Sequence, residues 1–350
     1  MEKYKIIRPL VFSFPPEIAH NIAIKTLKYL PKQKSCSNSV LENNLFGLKF
    51  KTPVGIAAGF DKNGEVVEAL FNQGLSFVEV GTVTPFAQKG NAKPRIFRLL
   101  EDEAIINSMG FNNKGIDYVI SRLSVVPKNK GIVGINIGKN KLGSINDFST
   151  CLEQAYATAD YIAINISSPN TFGLRNLQGR NELKELLDLI TEKKRELIKK
   201  FQTTKPLLIK ISPDNDYKTM EGIAELSLTY NIDGLIISNT TIQREKNLLS
   251  PYKSKPGGLS GKPLTRKTNE SIKTMYKLLN GTKPIIGSGG IVNANDAYEK
   301  IKLGASLIQL YTGIIYNGFS IVTKIQHNLV KLLHNDGFSN IKDAVGQGNN

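Results

Sequence analysis

Short, almost wholly apolar runs punctuate the chain, each followed by a longer amphipathic stretch. The first four are VGIAA (54–58), FVEVG (77–81), GIVGIN (131–136) and YIAINI (161–166). LLIKI (207–211), DGLIIS (233–238), PIIGSG (284–289) and LIQLY (307–311) complete the series. Runs that lack polar alternation are what strands covered on both faces require. The stretches between them, such as GEVVEALFNQG, NELKELLDLITEKKRELIKKF and NANDAYEKIKLG, repeat apolar residues at helical spacing. The last is capped by Asn or Asp and stops at Gly304. Eight strand–helix units running in one direction predict an α/β fold, a (β/α)8 TIM barrel rather than an open sheet.

Three segments break the rhythm. PRIFRLLEDEAIINSMGF, between the second and third strands, reads as a β-hairpin turning at EDE. QREKNLLSPYKSKPGGLSGKP follows the sixth strand. Long loops after strands gather on the C-terminal face of a barrel, where such folds build their sites. Residues 1–40 form a separate N-terminal helical extension, with the barrel over 41–350. In PEIAHNIAIKTLKYL the apolar arc (Ile18, Ala19, Ile22, Ala23, Ile24, Leu27, Tyr29, Leu30) is wider than the stripe a single core needs. Two readings follow: one side lies on the barrel and the other on lipid or a hydrophobic ligand, or the segment caps the barrel bottom. Lys25, Lys28, Lys32 and Lys34 suit an anionic headgroup surface.

Of 350 residues, 40% are hydrophobic, enough for a substantial core. The net charge of +16 fits an anionic partner or membrane surface, or else a lysine-rich bias, since the lysines are scattered. Cys36 and Cys151 form no disulfide framework and show no metal-ligand spacing, so no metal is expected. The start, MEKYKIIRPLVFSFPP, is not a signal peptide, and no apolar run approaches a membrane span. A soluble or peripheral protein is expected.

Polar residues cluster where the strands end. Gly59, Asp61 and Lys62 follow the first strand, Thr82 the second, Asn136 the third, and Asn165 with SSPN the fourth. Lys210 lies within the fifth strand, and Ser238, Asn239 and Thr240 end the sixth. GSGGI and YTGI follow the seventh and eighth, the two positions where barrels bind phosphate on backbone N–H groups. No histidine stands near these loops, and Asp61 is the one carboxylate read there, which is poor equipment for hydrolysis. Amides and lysines around a phosphate site suit FMN, a cofactor that brings its own redox chemistry. Lys210 is placed to stabilise negative charge on the flavin ring; pairing with a carboxylate is the weaker alternative in so apolar a strand.

At this point the motifs name a family. The chain resembles class 2 dihydroorotate dehydrogenases, membrane-associated and quinone-dependent. The resemblance rests on AAGFDKNG (57–64), VGTVTP (80–85), KPRIFRLLEDEAIINSMGFNN (93–113), GINIGKN (134–140) and INISSPNTFGLRNLQ (164–178). IKISPD (209–214), SNTT (238–241), GGLSGKPL (257–264), IIGSGGI (285–291) and QLYTG (309–313) extend it across the barrel. Class 1 relatives carry cysteine where this chain has Ser168, and they lack the extension seen here as FPPEIAHNIAIKTL.

The resemblance implies oxidation of (S)-dihydroorotate to orotate in pyrimidine synthesis, with electrons passing through FMN to ubiquinone or menaquinone. It also implies a peripheral site on the cytoplasmic side of the cell membrane. The implied FMN contacts are Ala58, Gly59, Lys62, Thr82, Asn136 and Asn165, with Lys210, Ser238, Gly261, Gly290, Tyr311 and Thr312. Implied substrate contacts are Lys62, Asn107, Ser108, Met109, Gly110 and Phe111, then Asn165, Asn170, Asn239 and Thr240. His20 and Arg98 would face a quinone tunnel, although Arg95 and Arg98 also read as surface cations of the hairpin. Ser168 would take the C5 proton. A serine can do so only if its own proton leaves, through Thr171 and a water, with Phe111 closing the site. A tRNA-modifying flavin barrel would also suit the positive charge, but such enzymes use a cysteine acid that this loop lacks, so no nucleic-acid partner is expected. A non-catalytic scaffold would have no use for Lys62, Ser168 and Asn239 together.

Overall fold

Eight parallel strands close into one barrel in a computed structural model that describes residues 3–33 and 36–349. In chain order they are β1 (Val54–Ile56), β2 (Phe77–Val83), β3 (Ile132–Ile137) and β4 (Tyr161–Asn165), followed by β5 (Leu207–Ile211), β6 (Gly234–Ile237), β7 (Ile285–Ser288) and β8 (Ala305–Leu310). Each pairs with its sequence neighbours and β8 returns to β1. All eight are buried along their length, as their unbroken apolar runs require. Helices cover the outside, among them Arg180–Phe201 and Ala294–Lys302, the latter started by a capping box between Asn293 and Asp296.

The lower half of the barrel is filled with side chains rather than open. Phe50, Phe77, Tyr161, Leu208, Ile236 and Leu307 pack there. A small hairpin, Asn43–Leu45 with Leu48–Phe50, lies against them through Leu45, Phe46 and Leu48. This hairpin, not the N-terminal helices, plugs the barrel bottom.

At the opposite end two insertions meet. The hairpin Ile96–Leu99 and Ala104–Asn107, from the segment after β2, gains a third antiparallel strand, Gly258–Gly261, from the segment after β6. Glycines on that third strand let the sheet lie close over the mouth.

The extension forms helices α1 (Lys3–Ser13) and α2 (Pro16–Thr26). The helix expected to run on to Leu30 stops at Thr26 and tightens into a 3-10 turn, Leu27–Tyr29. Polar pins hold the pair. Tyr4 Oη donates to the Ile315 carbonyl at 2.7 Å and Arg8 Nη1 to the Tyr316 carbonyl at 3.1 Å. Arg98 Nη1 reaches the carbonyls of Phe12 and Phe14 at 2.8 and 3.1 Å. Arg95 clasps Glu17 with two bonds of 2.6 and 3.2 Å. Arg95 is buried, and the half-buried Arg98 is held by its two bonds to the extension, so neither arginine is a mere surface cation. In α2 only Ala19 is fully buried, while Ile6, Ile7, Leu10, Ile18 and Ile22 stay exposed. Lys34 lies outside the described residues. No helix among the described residues is long and apolar enough to cross a membrane.

Candidate active site at the barrel mouth

A cavity of about 920 Å³ runs from the C-terminal ends of the strands to the cleft between α1 and α2. Its floor is organised by Glu79, a fully buried carboxylate on β2. Oε1 accepts from Asn136 Nδ2 at 2.8 Å and from Lys210 Nζ at 3.3 Å. Oε2 accepts from Gln309 Nε2 at 2.6 Å and from Tyr161 Oη at 3.0 Å. Four donors fill the acceptor sites of one carboxylate, the condition for burying a charge. The weaker alternative for Lys210 is therefore the observed one: it is paired with Glu79, and it also lines the cavity. The carboxylate expected at the site, Asp61, does other work. It accepts the Glu65 and Val66 N–H groups at 2.9 and 2.8 Å and braces the loop after β1, while burial raises its pKa.

A directional chain of bonds rises from this floor. Asn136 Oδ1 accepts from Thr82 Oγ1 at 2.5 Å, Thr82 Oγ1 accepts from Asn165 Nδ2 at 2.8 Å, and Asn165 Oδ1 accepts from Ser167 Oγ at 2.7 Å. Asn239 Nδ2 also donates to Ser167 Oγ, at 2.9 Å. The chain fixes which way each amide faces. Asn136 is wholly buried beside Thr82, from whose hydroxyl it accepts.

Ser168 and Asn170 line the cavity beside Asn107, Asn239 and Thr240. Asn170 Nδ2 donates to the Asn107 carbonyl at 3.0 Å, which joins the serine loop to the hairpin. Ser108 and Thr171 lie just behind this wall. The Ser108 N–H donates to the Arg95 carbonyl at 2.8 Å. Met109, Gly110 and Phe111 are on the wall. Phe111 has a φ of 54°, a left-handed conformation that costs a bulky residue about 1–3 kcal/mol. Gln88 and Asn113 side chains hold its carbonyl at 3.1 and 2.7 Å and keep the ring against Gly138. Lys62 Nζ donates to the Gly59 carbonyl at 2.7 Å. Desolvation lowers its pKa to about 8, with Arg95 adding to the effect and Glu17 opposing it.

Several features call for a guest. The side-chain oxygens of Thr171, Thr240 and Gln309 are buried without a protein partner, and such atoms are rare unless water or a ligand meets them. Gly261 and Gly290, with φ of 99° and 69°, leave room for nothing more: an added Cβ would lie 2.4 Å from the Glu103 carbonyl oxygen or from Thr265 Cα. Ser260 and Thr312 hydroxyls lie 2.9 Å apart beside them, and Ser238, Tyr311 and Thr312 complete the wall. Ala58 and Gly59 line the facing side. Gly261, Gly290, Tyr311 and Thr312 line one side of the cavity, and together with the deeper ring of amides and Lys210 they fit a phosphorylated flat cofactor such as FMN.

His20 and Arg98 lie on the helical half of the cavity wall. His20 packs edge-on against Phe60 at 5.6 Å, and desolvation, aided by the Lys62 charge, lowers its pKa to about 3, so it is neutral at physiological pH. Arg98 sits 4.5 Å from the Phe12 ring centroid.

Residue-by-residue reading missed Glu79, Tyr161, Ser167, Arg175 and Gln309. The signal for Glu79 was a charge inside the apolar run FVEVG, which demanded a buried partner, and Lys210 was the matching anomaly.

The family model described as dihydroorotate dehydrogenase matches residues 40–333. A dihydroorotate dehydrogenase (quinone) of Azorhizobium caulinodans is 42% identical over 99% of this chain and 99% of its own. The mitochondrial dihydroorotate dehydrogenase (quinone) of Arabidopsis thaliana is 41% identical over 98% of this chain and 81% of its own. The crystal structure of the Eimeria tenella enzyme in complex with ferulenol superposes with a TM-score of 0.91 at 39% identity, covering 97% of this chain and 98% of that one. With matches of this length and similarity, the chain belongs to class 2 of the dihydroorotate dehydrogenase family.

Proposed function

We propose that the protein oxidises (S)-dihydroorotate to orotate in de novo pyrimidine synthesis, with FMN as resident cofactor and a membrane quinone as final acceptor. One observation carries the reading: Ser168 and the unpartnered Thr240 hydroxyl line an amide-rich cavity that opens at its far end between apolar helices, and the unpartnered Thr171 hydroxyl lies just behind its wall. Gly261, Gly290, Tyr311 and Thr312 hold the FMN phosphate. Ala58, Gly59, Lys62, Thr82, Asn165, Lys210 and Ser238 hold its ring and chain, with Asn136 supporting Thr82. Bound FMN supplies the acceptor for the hydride that leaves C6 of the substrate, and the quinone collects the two electrons.

The protein handles the proton. Asn107, Asn165, Asn170 and Asn239 orient the substrate amides and carboxylate, and Lys62 adds positive charge. Asn107 to Phe111 and Thr240 complete the enclosure. Positioning of this kind contributes about 7–11 kcal/mol at its upper limit, so no strong base is needed. Ser168 Oγ accepts the C5 proton as its own passes to Thr171 Oγ1, which in turn gives up its hydroxyl proton to a water; the missing protein partner of Thr171 leaves it open to such a relay. Phe111 keeps bulk water from the base.

Residues 1–40 form the quinone and membrane contact. His20 and Arg98 face the quinone, and the exposed apolar side chains of α1 and α2 rest on an anionic bilayer on the cytoplasmic side. Anaerobic titration of the purified protein with dihydroorotate tests the reading. The visible flavin absorbance should bleach and return on adding quinone. A colourless protein, or a band indifferent to dihydroorotate, would refute it.

A further inference from the structure

Ser168 has weak hydrogen bonding of its own. Its Oγ accepts the Asn170 N–H at 3.3 Å, and the neighbouring Thr171 hydroxyl has no protein partner. What fixes the peptide bearing it is Ser167. The Ser167 hydroxyl is tied to Asn165 and Asn239, at the ends of β4 and β6. The Ser167 carbonyl, half of the peptide unit that carries Ser168, accepts from Arg175 Nε at 3.0 Å.

The same guanidinium reaches two further places. Nη2 donates to the Thr240 carbonyl at 2.9 Å, and Nη1 to Asp214 Oδ2 at 2.9 Å. Asp214 is itself anchored to the segment after β6, accepting from the Ile242 N–H at 2.9 Å and from the Thr241 hydroxyl. One rigid fork thus joins the serine loop, the end of β6 and the start of the segment after β5. Planar, divergent donors suit this task, and a flexible ammonium does not. Arg175 and Asp214 are respectively 20% and 10% exposed, so solvent only partly screens the pair.

We propose that Arg175, braced by Asp214, is a positioning residue for proton abstraction, setting where Ser168 stands relative to the substrate face formed by Asn239 and Thr240. The inference rests on Ser168 being the base. The competing account is that Arg175 merely stabilises the 3-10 turn Leu174–Gln178 in which it lies.

Stopped-flow flavin reduction by dihydroorotate in the Arg175→Lys, Arg175→Gln and Asp214→Asn holoenzymes separates the two. Displacing a base by about 1 Å costs on the order of 100-fold, so the Arg175 variants should reduce flavin about 10- to 100-fold more slowly. Orotate affinity should change by less than about threefold, because Lys62 and the asparagines are untouched. The Arg175→Gln/Asp214→Asn double variant should be little slower than its slower parent, since both act through one clamp. Amide hydrogen exchange should rise in residues 166–174 while β4 stays protected. Unchanged reduction rates, rate losses matched by equal losses of orotate affinity, or fully additive single variants would overturn the proposal. If Arg175→Gln fails to fold, Arg175→Lys and Asp214→Asn carry the test. If Ser168→Ala reduces flavin at the wild-type rate, the base assignment itself fails, and the exchange measurement still decides whether Arg175 clamps the loop.

Discussion

The barrel mouth and the N-terminal helix pair enclose two ends of one cavity, yet they are built by opposite means. At the mouth, polar side chains are buried and paired, with Glu79 receiving four donors and a chain of amides and hydroxyls climbing to Ser167. In the helix pair, apolar side chains are exposed, and a few polar pins from Tyr4, Arg8, Arg95 and Arg98 hold the backbone in place. Burying polar atoms makes every wrong geometry expensive, so the mouth has one arrangement. An apolar face held by a few pins tolerates a changing, shapeless neighbour such as lipid. The first region suits chemistry that needs placement to a fraction of an ångström, and the second suits the contact with a fluid phase proposed for it.

Substitutions at the two ends should therefore disturb different measurements. The largest effect is expected from Ser168→Ala, which should slow flavin reduction in stopped flow by about 10²–10⁴-fold, with Ser168→Cys retaining part of the rate. Wild-type-like reduction by the alanine variant would break the comparison at its centre. Next comes Glu79→Leu, which strands the Lys210 ammonium and should lower unfolding free energy by about 3–5 kcal/mol in denaturant titration. Glu79→Gln, which keeps a hydrogen-bonding side chain, should cost less.

A pH series probes the mouth more gently. Because desolvation lowers Lys62 to about 8, its ammonium is present below that pH and lost above it. Orotate affinity measured by flavin absorbance should accordingly fall above about pH 8, approaching tenfold per pH unit, the limit for loss of one proton. A Lys62→Met variant should bind orotate more weakly, and its affinity should stay flat across that range. Smallest at the mouth should be Ile6→Glu with Leu10→Glu. Both side chains are exposed, so stability should stay within about 0.5 kcal/mol and flavin reduction should be unchanged. Flotation with anionic vesicles, and turnover with long-chain quinone, should fall. Unaltered vesicle binding would return the helix pair to a purely structural role.

The two regions were also unequally legible. Barrel strands announced themselves as apolar runs because both faces are buried, and the mouth residues followed from where those runs end. What the sequence hid was pairing over distance. Glu79 and Lys210 are 131 residues apart, and each alone looked like an anomaly in an apolar strand. Arg175 gave no sign that it would turn back to the Ser167 carbonyl, since nothing in local spacing encodes that return. The bottom hairpin passed unnoticed because its strands have three residues each, too few for a period to register. In the extension, the wide apolar arc correctly marked a surface with spare hydrophobic area, but propensity alone could not say that the helix stops at Thr26.

Under the function proposed above, the continuous cavity would give the two reactants separate doors. A small, charged pyrimidine would arrive among amides while a long isoprenoid would slide between helices, so that neither would have to leave before the other approached the shared interior. A greasy compound wedged at the helical door would starve the enzyme of its oxidant without displacing the pyrimidine, and rising dihydroorotate would not relieve it. Discrimination among such compounds would be decided by the side chains of two short terminal helices rather than by the residues that handle the pyrimidine.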